Sequence, residues 1–175
     1  ILKRIYDKNG SYTSSFMASR LWVADYAAKN EIGKVLDFNE LAESSGDKTG
    51  KGIKRLGVLR ADVDGLGAAF IAGFIHKENK NPEAYATLSR YAALSRSMAL
   101  FFRKIIKGIC KKELPEGIKP FYLFEDKDGE PRKIHVVYSG GDDLFLVGAW
   151  DDLMGFVVDL KRAFSVYTNG KLTFS

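Results

Sequence analysis

The stretch VVYSGGDDLFLVGAWDD, residues 136–152, sets two apolar runs on either side of a Ser-Gly-Gly-Asp-Asp turn. His135–Tyr138 and Leu144–Trp150 are short and rich in β-branched and aromatic residues, as strands are, and glycine takes the positive φ that tight hairpin turns demand. The pattern predicts a hairpin with Asp142 and Asp143 at its tip. Asp151 and Asp152 follow where a helix N-cap belongs. Leu153–Tyr167 is then amphipathic through Leu153, Phe156, Val157, Leu160 and Phe164, and Leu172–Phe174 begins a last strand.

Upstream, LGVLRADVDGLG (56–67) repeats the same theme. Leu56–Val63 is short, apolar and bounded by glycine, as a buried strand is, and Gly65–Ile75 reads as a helix carrying Leu66, Phe70 and Phe74. Asn81 is the expected N-cap of a second, long helix with Pro82 and Glu83 in its first turn. Its stripe is Leu88, Tyr91, Leu94, Met98, Phe101, Phe102, Ile105 and Ile109. Phe121–Phe124 and Lys133–Ser139 are expected to pair around DKDG (126–129), which starts like a calcium loop but lacks the later ligands and reads as a turn. Strand, helices, hairpin, helix, strand is the order of an α+β protein. It predicts a ferredoxin-like arrangement, an antiparallel sheet that carries helices on one face.

Residues 53–175 are assigned to this domain, cut within its C-terminal strand, and residues 1–52 to the tail of a preceding domain plus a glycine-rich linker, SSGDKTGKG (44–52). That linker is not a P-loop: the glycine spacing is one residue short, Gly52 stands where Ser or Thr binds magnesium, and a strand follows instead of a helix. Ile1 in place of Met and the interrupted last strand are read as the ends of a piece of a longer protein. One cysteine, Cys110, and two histidines, His76 and His135, exclude a disulfide framework and a zinc cluster and suit a cytoplasmic setting. The apolar run Ala68–Ile75 is far below the roughly 20 residues of a membrane helix, so no membrane partner is expected. A net charge of +5 permits an acidic partner without requiring one.

The acids carry the chemistry. Asp62-Val63-Asp64 leaves one strand and Asp142-Asp143 lies in the hairpin, and these strands are neighbours in a ferredoxin-like sheet. Two carboxylates at about 5 Å in an effective dielectric near 20 repel by roughly 3 kcal/mol, so a cation or a raised pKa must compensate. Carboxylate oxygens without histidine or thiolate suit magnesium or manganese. Gly65 and Gly67 lie at the turn into a helix, where free amides bind phosphate, and Gly140 and Gly141 clear side chains from the hairpin. Either motif alone is ordinary turn chemistry. Together, at the ends of adjacent strands, they point to a metal-bound triphosphate.

LGVLRADVDGLG, LSRSMALFF (94–102) and VVYSGGDDLFLVGAWDD together resemble the second palm domain of the large subunit of type III CRISPR effector complexes, over about residues 53–175. The resemblance implies a ferredoxin-like palm of the nucleotide cyclase or GGDEF-like kind, which target RNA switches to convert ATP into cyclic oligoadenylates. It implies Asp62, Asp142 and Asp143 as catalytic acids, with Val63 among the metal ligands. Val63, Asp64, Gly65, Leu66, Gly67, Ser139, Gly140 and Gly141 are implied on the nucleotide side. The implied partners are ATP, a second palm domain, guide RNA, target RNA and other effector subunits. No His-Asp nuclease motif or cysteine-rich zinc segment is present in the sequence.

Two rivals remain. A diguanylate cyclase would carry an Asn-Asp pair where Phe70 and Ile71 stand, and an apolar pair cannot make the paired hydrogen bonds that identify guanine. A noncatalytic palm that docks RNA or protein has no need to keep three uncompensated acids together.

Overall fold

The computed structural model describes residues 4–7, 17–20, 24–76, 78 and 80–175. In chain order its elements are β1 (Arg4–Asp7), β2 (Met17–Arg20), α1 (Phe38–Glu43), β3 (Leu56–Asp64), α2 (Leu66–Ala72), α3 (Leu88–Leu100), α4 (Ile106–Cys110), β4 (Ile134–Gly140), β5 (Asp143–Ala149), α5 (Trp150–Tyr167) and β6 (Thr173–Phe174). β1 and β2 pair in parallel by themselves, and the other four strands form one antiparallel sheet in the order β4-β5-β3-β6. This is the ferredoxin-like order expected from the sequence.

Alternation along β3 decides how the sheet faces. Ala61 and Val63 are buried while Arg60, Asp62 and Asp64 are exposed, and on β5 Leu144 and Leu146 join the buried side. Those inward residues meet Phe101, Phe102, Ile106 and Ile109 from the α3–α4 region and Phe156, Leu160 and Phe164 from α5 in one core. Phe174 anchors the two-residue β6 to it, with ring centroids 4.4 Å from Phe164 and 5.9 Å from Phe102. Aromatic pairs of this kind add about 0.5–1.5 kcal/mol each beyond their buried area.

The helix expected after Asn81 begins only at Leu88, which is itself exposed. Residues 81–86 form successive turns instead, and the His76 N–H donates to the Pro82 carbonyl, folding the segment back on the exit of α2. Between α3 and α4, Phe101–Ile105 make a π-helical turn. It lets two consecutive phenylalanines be buried together, and Ser139 Oγ donates to the Phe102 carbonyl at 2.7 Å. The expected α2 is also shorter, ending at Ala72.

The hairpin expected between Phe121–Phe124 and Lys133–Ser139 is not formed. β4 pairs with β5 on one side. On its other side the Val136 N–H donates to Tyr26 O and the Ala28 N–H to Ile134 O, so that edge is already taken by residues 26–28. The Phe121 N–H is directed to the Asp159 carboxylate, at 3.0 and 3.1 Å. From this edge the chain runs on to α1. His135 accepts from Ala28 N–H and contacts Leu36 O, α1 lies against β3 and β5, and Leu41 is fully buried.

The glycine-rich loop 44–52 is tied down at several points. The Lys48 N–H donates to Asp126 Oδ2, Lys48 Nζ pairs with Glu130 at 2.8 Å, and Lys127 Nζ reaches both the Ser44 carbonyl and Asp151. Asp151 and Asp152 do not cap α5. They are buried in its first turn, where Asp151 meets Lys127 and Asp152 accepts the Lys133 N–H.

At the centre of these loops Arg132 pairs with Asp159, both fully buried. Arg132 Nη2 also donates to the Phe121 carbonyl at 3.3 Å and Nε to the Ile109 carbonyl at 3.4 Å. Gly155 is obligatory here, because a Cβ would collide with the guanidinium and stand 2.9 Å from the Phe121 oxygen. Burial pushes the Asp159 carboxyl above its ordinary value, against the pull of the Phe121 N–H and Arg132. Asp159→Ala strands a buried guanidinium and is expected to lower the unfolding free energy by about 3–5 kcal/mol. In urea melts the double variant Arg132→Met/Asp159→Leu should lose less, about 1–3 kcal/mol, because only the Phe121 N–H and loop carbonyls are then left unpaired.

Candidate functional site

The two acidic motifs meet because β3 and β5 are paired throughout. Asp62 is the register partner of Asp143, and the Val63 N–H donates to the Asp142 carbonyl at 3.0 Å. Directly opposed residues on one sheet face have Cβ atoms about 4.5–5.5 Å apart, and like charges so placed destabilise the pair. Asp62 and Asp142 are exposed, whereas Asp143 is half-buried. Asp143 Oδ1 is buried and accepts no hydrogen bond. Arg60, two residues before Asp62 and therefore on its face, brings Nε to 3.8 Å from that oxygen. The sequence reading left Arg60 out. Period-two alternation was the signal that would have placed it there.

The turn residues are arranged as the motifs require. Gly65 has φ +69° and precedes α2, and Gly141 has φ +69° at the hairpin tip. Leu66 is buried beneath the turn and Gly67 is exposed, with open space where a Cβ would stand. Asp64 is drawn to β6: Thr173 Oγ1 donates to its Oδ2 at 2.7 Å, and hydrogen bonding from Ser175, then Thr173, holds its carboxyl below the ordinary value. The Ser139 hydroxyl turns to the helix layer, toward Phe102, and not to the face that bears the acids. Neither histidine stands beside the acids, since His135 is held by Ala28 and Leu36 and His76 lies edge-on to Tyr85.

Among the described residues no three carboxylate, imidazole or thiolate groups gather into a metal-binding cluster. Asp62 and Asp143 nevertheless face each other, and Asp143 has an oxygen with no hydrogen-bond donor. An all-oxygen set of one or two carboxylates suits magnesium, which keeps several waters and takes the rest of its shell from substrate phosphates. The donor chemistry therefore fits a hard divalent cation.

The sequence pattern of the Cas10/Cmr2 second palm domain family matches residues 55–175. The chain is 40% identical over 173 residues to the CRISPR system single-strand-specific deoxyribonuclease Cas10/Csm1 (subtype III-A) of Mycobacterium tuberculosis, covering 99% of this chain and 19% of that protein. The protein of the same description from Streptococcus thermophilus is 38% identical over 172 residues, covering 98% and 19%. Among solved structures, a Csm1–Csm4 cassette in complex with one ATP superposes with a TM-score of 0.72 at 35% identity, and one in complex with cA4 with 0.73 at 34%. Each superposition covers 98% of this chain and 22% of the other. The chain spans about a fifth of the length of these curated relatives. No helix among the described residues is long and apolar enough to cross a membrane.

The hairpin tip yields a paired test. Gly141→Ala forces an L side chain into the left-handed region and is expected to cost about 1–2 kcal/mol. Gly140 has no positive φ and its Cβ would meet only Tyr138, at 3.8 Å. Gly140→Ala should therefore be neutral or stabilising by up to about 1 kcal/mol in the same denaturant melts.

Proposed function

The chain belongs to the Cas10/Cmr2 second palm domain family, and we propose that it acts there as a metal-dependent nucleotidyltransferase palm, converting ATP to cyclic oligoadenylate within a type III CRISPR effector complex. The observation that carries this reading is the cross-strand pairing of Asp62 with Asp143 on an exposed sheet face, beside the glycine turn that opens α2. The ATP and cA4 complexes of similar chains support the choice of nucleotide.

Asp62 and Asp143, with Asp142 and the Val63 carbonyl, would hold magnesium or manganese. When bound, such an ion neutralises phosphate charge and lowers the pKa of a ribose 3′-hydroxyl. The turn Val63–Gly67 offers backbone amides to phosphate oxygens, with Gly65 and Gly67 leaving that approach free of side chains. Gly140 and Gly141 do the same on the hairpin side. No side-chain general base is assigned, because both histidines are engaged elsewhere. One palm supplies one set of acids, so a second palm domain is assigned the acceptor nucleotide. Guide RNA, target RNA and other effector subunits are the proposed partners of the longer protein.

Phe70 is half-buried against the core and Ile71 is 76% exposed, so neither offers a hydrogen bond to a guanine edge. ATP with magnesium is accordingly expected to bind more tightly than GTP in isothermal titration. Equal or tighter GTP binding would return the diguanylate cyclase reading to first place.

A palm that only scaffolds RNA or protein is the second reading, favoured by the lack of a three-ligand cluster among the described residues. Chromatography of labelled ATP reactions separates the two. The effector complex with target RNA is expected to make oligoadenylates, and Asp142→Ala should abolish them. The chain alone should bind ATP and make little product. Undiminished synthesis by the Asp142→Ala complex removes that residue from the mechanism.

A further inference from the structure

Arg60 shares the acid-bearing face of β3 with Asp62, and its register partner is Phe145, two residues along β5 from Asp143. Its side chain is 79% exposed, with Nε 3.8 Å from Asp143 Oδ1. That distance is beyond hydrogen-bonding range. The two ends of the contact differ in solvation: the guanidinium stands in water, while the carboxylate oxygen is buried and accepts no hydrogen bond. A carboxylate oxygen out of water asks for a close cation, and a mobile side chain at this distance supplies only part of that.

We propose that Arg60 is a placeholder counterion for Asp143, which a divalent cation displaces, freeing the guanidinium for the phosphate oxygens of the incoming nucleotide. The inference rests on Asp143 being a metal ligand. Arg60 acts on the metal through Asp143 and is in that respect a positioning residue. Its exposure leaves the side chain free to move, and its planar fork of donors matches a phosphate group. Ion and nucleotide thus make opposite demands on one side chain. Arg60 competes with the ion for Asp143 when no nucleotide is present, and assists the nucleotide once the ion is bound.

Arg60→Gln and Arg60→Lys in the full chain test this, with Mn2+ binding followed by electron paramagnetic resonance and AMPPNP binding followed by titration at saturating Mn2+. Removing a positive charge beside the ion site should tighten Mn2+ binding about three- to tenfold in Arg60→Gln without nucleotide. AMPPNP binding should weaken by about three- to tenfold or more, as a charge-assisted phosphate contact is lost. Arg60→Lys should return both values toward the parent protein. A purely structural role would weaken both together. Mn2+ affinity that is unchanged or weaker in Arg60→Gln, with the circular dichroism of the parent, overturns the proposal. Asp143→Asn separates the two readings. If it loses Mn2+ while Arg60→Gln leaves affinity unchanged, only the placeholder role falls. If neither the parent nor Asp143→Asn binds Mn2+, or both bind equally, the metal assignment of Asp143 falls with it.

Discussion

The antiparallel register of β3 on β5 is the constraint on which the rest of the molecule depends. Seven consecutive pairs, from Leu56 with Ala149 to Asp62 with Asp143, fix which residues of both strands face the helices. A slip of β5 by one residue would turn Leu144 and Leu146 to the other face of the sheet and drive Asp143 into the core. The core therefore enforces the site: hydrophobic burial of one set of residues holds two like charges opposite each other on the other side. The repulsion between Asp62 and Asp143 is tolerated because the buried pairs before them in the same ladder hold both strands in register.

β3, β4 and β5 were legible because they are short apolar runs beside glycines, and the sheet order followed from the alternation of strands and helices; β1 and β2, polar and four residues each, carry no such signal. The acids were legible for the same reason, as they sit at element ends where turn chemistry is conspicuous. Helix boundaries were harder to read. Asn81-Pro82-Glu83 has the composition of a helix start, yet the His76 N–H takes the Pro82 carbonyl and the chain turns twice before Thr87. Nothing local in Phe101-Phe102 announces a π turn, which exists so that two adjacent rings can reach one core. Arg132 and Asp159 lie 27 residues apart, and their burial as a pair leaves no trace in either neighbourhood. Asp151 and Asp152 looked like caps because a cap and a buried first-turn acid have the same sequence.

Polar contacts do much of the work outside the core. Arg132 joins α4, α5 and the loop at Phe121, and the Tyr26 hydroxyl donates to the Arg132 carbonyl at 2.7 Å, with burial pushing that phenol up. Lys127 links the glycine-rich loop to the first turn of α5. Their partners are backbone and carboxylate atoms from distant segments, so the loops of this end are positioned by the fold and not by their own turn propensities. The acid end differs: Asp142 is exposed at the hairpin tip and Asp143 keeps one oxygen without a donor. Asp151 Oδ1 also lacks a donor, but Lys127 pairs closely with the other oxygen of that carboxylate, whereas Arg60 stands 3.8 Å from Asp143.

Residues 26–28 occupy the outer edge of β4, meeting it through Val136, Ile134 and the Ala27–His135 bridge. A polypeptide trimmed to begin at residue 55, where the family match starts, would leave those backbone groups open along a strand that carries Val136 and Val137. Such a strand is a template for pairing with the same strand of another molecule. Residues 26–28 thus shield an edge whose exposure invites association between molecules before it costs any secondary structure.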